Sequence, residues 1–108
     1  MTKDTEKALV VLYCEYRHRV KLGISKRNAI EFEDAKIAQI DAFSDWHKDD
    51  IDFALRQLHS NGYVKLDICG NAKLTEEGIT YMENKPKEYF DAFVGIVKDI
   101  ISLITVLH

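Results

Sequence analysis

The stretch Asp45–Gly78, DWHKDDIDFALRQLHSNGYVKLDICGNAKLTEEG, decides how this chain folds. Ile51, Ala54, Leu55 and Leu58 recur at steps of three and four, the spacing of one buried helical face. Ser44 or Asp45 is placed to cap the start of that helix. Asn61-Gly62 ends it, because glycine adopts a left-handed backbone without a Cβ clash. Tyr63–Ile68 then alternates large apolar and polar side chains, imperfectly, and its β-branched and aromatic residues favour a strand. Gly70-Asn71 supplies a turn, and Ala72-Lys73-Leu74 makes a short return strand. Thr75 caps a further helix, with Glu76 and Glu77 where the positive end of the helix favours anions.

Outward from this centre the pattern is mostly helical. From Asp4 to Val20, Leu9, Leu12, Tyr13, Tyr16 and Val20 form one face, which Val10, Val11 and Cys14 widen, so this helix should be covered on more than one side. Thr2 or Asp4 caps its start and Gly23 its end. A connector with Lys26, Arg27 and Asn28 leads to a second helix near Phe32–Phe43, whose apolar positions fit the helical period only roughly. Pro86 breaks the chain and suits the first turn of a new helix. From Pro86 to His108, Phe90, Phe93, Val97, Ile100, Ile104 and Leu107 are spaced 3, 4, 3, 4 and 3 apart, a seam able to face another helix. The stretch from Phe93 is too short for a membrane span and is interrupted by Lys98-Asp99. The expectation is a domain over 1–85 and an apolar helix over 86–108 that packs on it and serves as a homodimer element.

A chain of 108 residues is one domain by size. With 46% hydrophobic and 31% charged residues it has neither a disordered nor a fibrous composition. Two cysteines, Cys14 and Cys69, are too few and too far apart for a disulfide scaffold or metal pair, and both read as small, inert, partly buried side chains. The N-terminus MTKDTEKA has no cleavage pattern of a signal peptide, so a cytoplasmic protein is expected.

Charge is distributed unevenly. Residues 1–30 hold seven Lys/Arg against three Asp/Glu, while residues 31–60 hold three against eight. The reading element of a nucleic-acid binder is normally basic. Here the central helix opens among Asp45, Asp49, Asp50 and Asp52 instead.

Residues Lys48–Tyr81 resemble the winged helix-turn-helix superfamily. Ile51, Leu55, Leu58, Gly62 and Tyr63-Val64 match its recognition helix running into the first wing strand. Leu74, Thr75, Gly78, Ile79 and Tyr81 match the second wing strand and the helix after it. The layout is similar to small winged-helix proteins of Gram-positive bacteria and their prophages. The resemblance implies a mainly α fold with a small β-hairpin wing, followed by the long C-terminal helix. It also implies a regulatory binding module of the transcription-regulator type. Winged helices serve DNA readout, RNA binding and protein docking alike, so function must be argued from side chains.

Two functions follow as expectations. In the first, DNA meets Lys48, Arg56 and Gln57 on the central helix, Lys65 and Lys73 on the hairpin, and Arg17 and Arg19 on the first helix. In the second, the fold has lost DNA binding and docks protein through the acidic helix with Trp46 and Phe53. The basic group Arg17, His18, Arg19, Lys21, Lys26 and Arg27 reads as a solvated helix end, or as a surface for phosphate or for the acidic middle of another copy. No spacing of Ser, His, Asp or Cys supports catalysis, no cofactor or metal motif is present, and His47 and His59 are too far apart on one helix to share an ion.

Overall fold

A computed structural model describes residues 1–93; the seam positions Val97, Ile100, Ile104 and Leu107 lie outside the described residues. The chain is mainly helical, with one three-stranded antiparallel sheet.

Helix α1, Lys3–Lys21, is the axis of the core. The Thr2 hydroxyl accepts the Thr5 backbone N–H at 3.2 Å and so caps its start. At its end Gly23 takes φ 96°, and the N–H groups of Gly23 and Ile24 donate back to Val20 and Arg19 at 3.0 Å each. This pairing satisfies carbonyls that the last turn leaves free. Ala8 through Cys14 are all buried, which spans every side of a helix. Neighbouring elements therefore cover α1 all round.

The region expected as a connector and one helix is more broken than the sequence suggested. Residues Lys26–Ala29 form a short helix α2, capped by Ser25, whose hydroxyl accepts the Asn28 N–H at 3.2 Å. Strand β1, Glu31–Phe32, helix α3, Asp34–Ile37, and a 3-10 turn, Asp41–Phe43, replace the single helix expected over Phe32–Phe43. The loose apolar period has a physical cause: Phe32 is buried as a strand residue opposite Ala72, while Ile37 and Phe43 reach the core from separate turns.

Helix α4 spans Lys48–Ser60. It starts later than expected, at His47, and neither Ser44 nor Asp45 caps it. Trp46 packs edge-on against Phe43 at 5.1 Å, which keeps the Ser44–His47 segment in a turn. Ile51, Ala54, Leu55 and Leu58 are buried as the spacing predicts. Gly62 closes the helix at φ 82°, with Gly62 and Tyr63 donating to His59 and Leu58.

Strand β2, Val64–Leu66, is shorter than the run Tyr63–Ile68, and strand β3, Ala72–Leu74, is as expected. The order is β1-β3-β2, with Lys65 opposite Lys73 and Glu31 opposite Lys73. The turn between β2 and β3 is organised by Asp67, whose carboxylate accepts the N–H groups of Cys69 and Asn71 at 2.9 Å each. Cys69 is therefore in the turn and exposed, not partly buried at a strand end.

Helix α5, Glu76–Glu83, is capped by Thr75, whose hydroxyl accepts the Gly78 N–H at 3.1 Å and donates to the Gly62 carbonyl at 2.6 Å. One side chain thus joins the end of α4 to the start of α5. Helix α6, Lys87–Asp91, follows Pro86, which occupies the cap position rather than the first turn. Phe90 and Phe93 were expected on a dimer seam, but both are buried in the chain's own core. Phe90 stacks on Tyr13 of α1 at 6.2 Å. Their spacing matched a seam because one buried helical stripe looks the same whether its partner is the same chain or another.

Burial makes the core sensitive to alkali. It pushes the Cys14 thiol from near 9.0 up to about 12, and the Tyr13 hydroxyl from near 10.0 up to about 12. Above pH 9 the unfolded chain releases these protons while the folded chain keeps them. Stability is therefore full below pH 9 and falls as pH rises from about 9 to about 12, by at most about 1.4 kcal/mol per pH unit for each group. Urea unfolding across this range should give midpoints that fall with pH, and Cys14→Ala should flatten the first part of the decline.

Candidate functional site

The outward side of α4 and the hairpin beside it form the most distinctive surface among the described residues. Burial of Ile51, Ala54, Leu55 and Leu58 turns Asp49, Asp50, Phe53 and Arg56 to solvent. Phe53 is 55% exposed, and Asp49 and Asp50 stand four and three positions before it, so they neighbour it on the helix surface. Trp46 is half-buried against Phe43 and finishes the core at the head of α4. Of the two aromatics singled out from the sequence, Phe53 is the one presented to solvent.

The cations chosen for DNA do not converge. Lys48 donates to the carboxylates of Asp34 at 3.1 Å and Asp52 at 3.2 Å, and these bonds, Asp34's first, raise its pKa above the usual lysine value. Its charge is already matched twice. Arg19 faces inward: its guanidinium donates to the carbonyl of Glu31 at 2.7 Å and of Ala29 at 3.3 Å, lies 4.4 Å over the Phe32 ring and meets Glu15 at 3.4 Å. It fastens β1 to α1 through Nη1, and its Nε faces Glu15, so most of its donors are already engaged within the chain. Gln57 is half-buried, and Arg17 is half-buried on α1.

Arg56, Lys65 and Lys73 remain outward, but on two sides. Lys65 and Lys73 sit across from each other on the solvent face of the sheet, in a groove also lined by Glu31, Glu33 and Asp67. Arg56 borders a different groove, between α4 and the hairpin, with Asp34, Asp52 and Ile68. Each basic residue therefore shares its groove with at least two carboxylates.

The hairpin is held in place. The Asn71 side-chain oxygen accepts the Asp34 N–H at 2.8 Å, and a Cβ built on Gly70 would stand 2.8 Å from the Asp34 carboxylate. Asp34 in turn binds Lys48 of α4. At the other end the Leu66 N–H donates to Nδ1 of His59 at 3.3 Å. Both ends of the α4–hairpin junction are thereby pinned, which presents a preformed surface.

Sequence reasoning missed three features of this surface. Ile68 stands fully exposed in the turn. The His59–Leu66 bond depends on a side chain that had looked like plain surface. Leu22, 68% exposed, and Ile24, 41% exposed, form an apolar corner between α1 and α2.

Among the described residues no group of three or more His, Cys, Asp or Glu side chains is arranged to hold a metal, and no helix is long and apolar enough to cross a membrane. Cys14 is buried and Cys69 exposed. A thiol reagent at pH 8 should label one cysteine in the native chain and two in denaturant; rapid labelling of both in the native chain would contradict the packing around α1.

No family model, curated protein or solved structure matches this chain.

Proposed function

We propose that this chain is a non-enzymatic winged helix whose α4 face docks on protein, having lost the charge that DNA readout needs. The winged-helix reading is supported by the order of elements: helix, short strand, broken helix, long helix and hairpin, with β1 completing the sheet beside β3. In that reading α4 stands where a recognition helix stands and β2–β3 is the wing.

The observation that carries the docking reading is the surface of α4 itself. An exposed Phe53 follows Asp49 and Asp50 by one helical turn, and Lys48 on the same helix is held by Asp34 and Asp52, which leaves Arg56 to balance them. Phosphates bind through Lys and Arg that displace counterions. A carboxylate about 4 Å from a phosphate is opposed by about 4 kcal/mol at an effective dielectric near 20, before salt screening. Aromatic residues, by contrast, anchor protein interfaces. The partner that fits is apolar at its centre and basic around it.

The runner-up is DNA readout in a transcription-regulator role. It is favoured by Lys65 and Lys73, adjacent across the strands and in no ion pair among the described residues. Trp46, the chain's single tryptophan, reports on the head of α4 and separates the two. Its fluorescence should change on titration with basic amphipathic peptides, less so in Phe53→Ala, and should ignore duplex DNA. A response to duplex DNA but not to the peptides overturns the docking reading.

A further inference from the structure

The partner chemistry that fits α4 is present on the chain's own surface. At the corner between α1 and α2, Leu22 and Ile24 project into solvent at 68% and 41% exposure. Lys21, Lys26 and Arg27 lie within a few positions of them along the chain, all exposed and in no ion pair among the described residues. The α4 face is acidic in balance: Phe53 is exposed with Asp49 and Asp50 one turn before it and Asp45 at the helix head, none of the three in an ion pair among the described residues, against Arg56 one turn after it and Lys48, which Asp34 and Asp52 hold. One surface is apolar with a basic rim and the other apolar with an acidic rim. We propose that the occupant of the α4 face is the α1–α2 corner of a second copy of this chain.

This proposal rests on the docking reading of α4 and names its partner. It accounts for the charge asymmetry along the sequence, in which the first thirty residues are net basic and the next thirty net acidic. Complementary rims speed encounter and fix register, and apolar centres supply the area removed from water. Every copy carries both surfaces, so pairing is open to each molecule in solution. The second copy uses exposed side chains only, so neither partner has to unfold to bind.

Sedimentation equilibrium on the full chain tests this with two charge-reversed variants. One carries Lys21→Glu, Lys26→Glu and Arg27→Glu; the other carries Asp45→Lys, Asp49→Lys and Asp50→Lys. All six positions are exposed, and circular dichroism checks that each variant folds. The wild type should self-associate at about 20 mM salt and weaken at about 300 mM, as screened rim charges require. Each variant alone should associate about tenfold more weakly or worse, since its own surfaces now repel. A one-to-one mixture of the two variants should recover association, because each then meets its complement.

A wild type that stays monomeric at low salt overturns the proposal. So does self-association that survives both reversals, which would place the interface elsewhere, such as residues 94–108, or a mixture that fails to recover. A wild type that stays monomeric while its Trp46 still responds to basic peptides refutes the second copy and leaves the docking reading intact. A response to DNA alone refutes that reading itself.

Discussion

Gly78→Ala is expected to cost about 2 kcal/mol net and to lower the thermal midpoint by roughly 10 °C. Gly78 lies in α5, where alanine ordinarily gains up to about 1 kcal/mol over glycine. Here a Cβ would stand 2.3 Å from the Tyr63 carbonyl oxygen and 3.1 Å from its carbon, both backbone atoms with no rotamer to move aside. Relief requires shifting α5 away from the α4–β2 junction. That shift breaks the Thr75 bridge, whose hydroxyl joins the Gly62 carbonyl to the Gly78 N–H. The overpacking penalty, about 3 kcal/mol or more, therefore exceeds the propensity gain. Thermal melts of wild type and variant measure it; a raised midpoint would mean that α5 does not approach Tyr63 this closely.

The second large effect comes from the inward side of α4. Leu58 is fully buried, and truncating such a leucine removes transfer energy and leaves a cavity, about 3–4 kcal/mol together. Phe53 is larger but points outward at 55% exposure, so Phe53→Ala should move stability by only about 0.5 kcal/mol. The two positions are five residues apart on one helix. Hydrophobicity alone predicts the opposite ranking, so urea unfolding of both variants tests the rotation of α4 about its axis. Equal losses would contradict the outward Phe53 on which the docking surface depends.

What could be read in advance was local. The stripe Ile51, Ala54, Leu55, Leu58, the closure at Gly62 and the cap at Thr75 each depend on residues within a few positions, and all three are found in the structure. What could not be read depends on partners far along the chain. β1 exists because Phe32 pairs with Ala72, forty positions on, and a two-residue strand has no period of its own. Arg19 looked like a free cation because its acceptors are backbone carbonyls, which leave no mark in sequence. Lys48 looked available to phosphate because Asp34 lies fourteen residues before it. Phe53 was legible as outward, but Ile68 and the Leu22–Ile24 corner were not, since an apolar residue beside a turn is more often buried. Thus the sequence shows where the charged residues lie along the chain, while their pairing was hidden.

The central claim is that acidity on α4 keeps this chain from DNA. Anisotropy of a labelled random duplex, titrated at about 20 mM salt and again at higher salt, tests it with two proteins side by side. The wild type should give no saturable binding, whereas Asp45→Lys/Asp49→Lys/Asp50→Lys should bind and lose affinity steeply with salt. Saturable wild-type binding that falls with salt and is abolished by Arg56→Glu/Lys65→Glu would contradict the account.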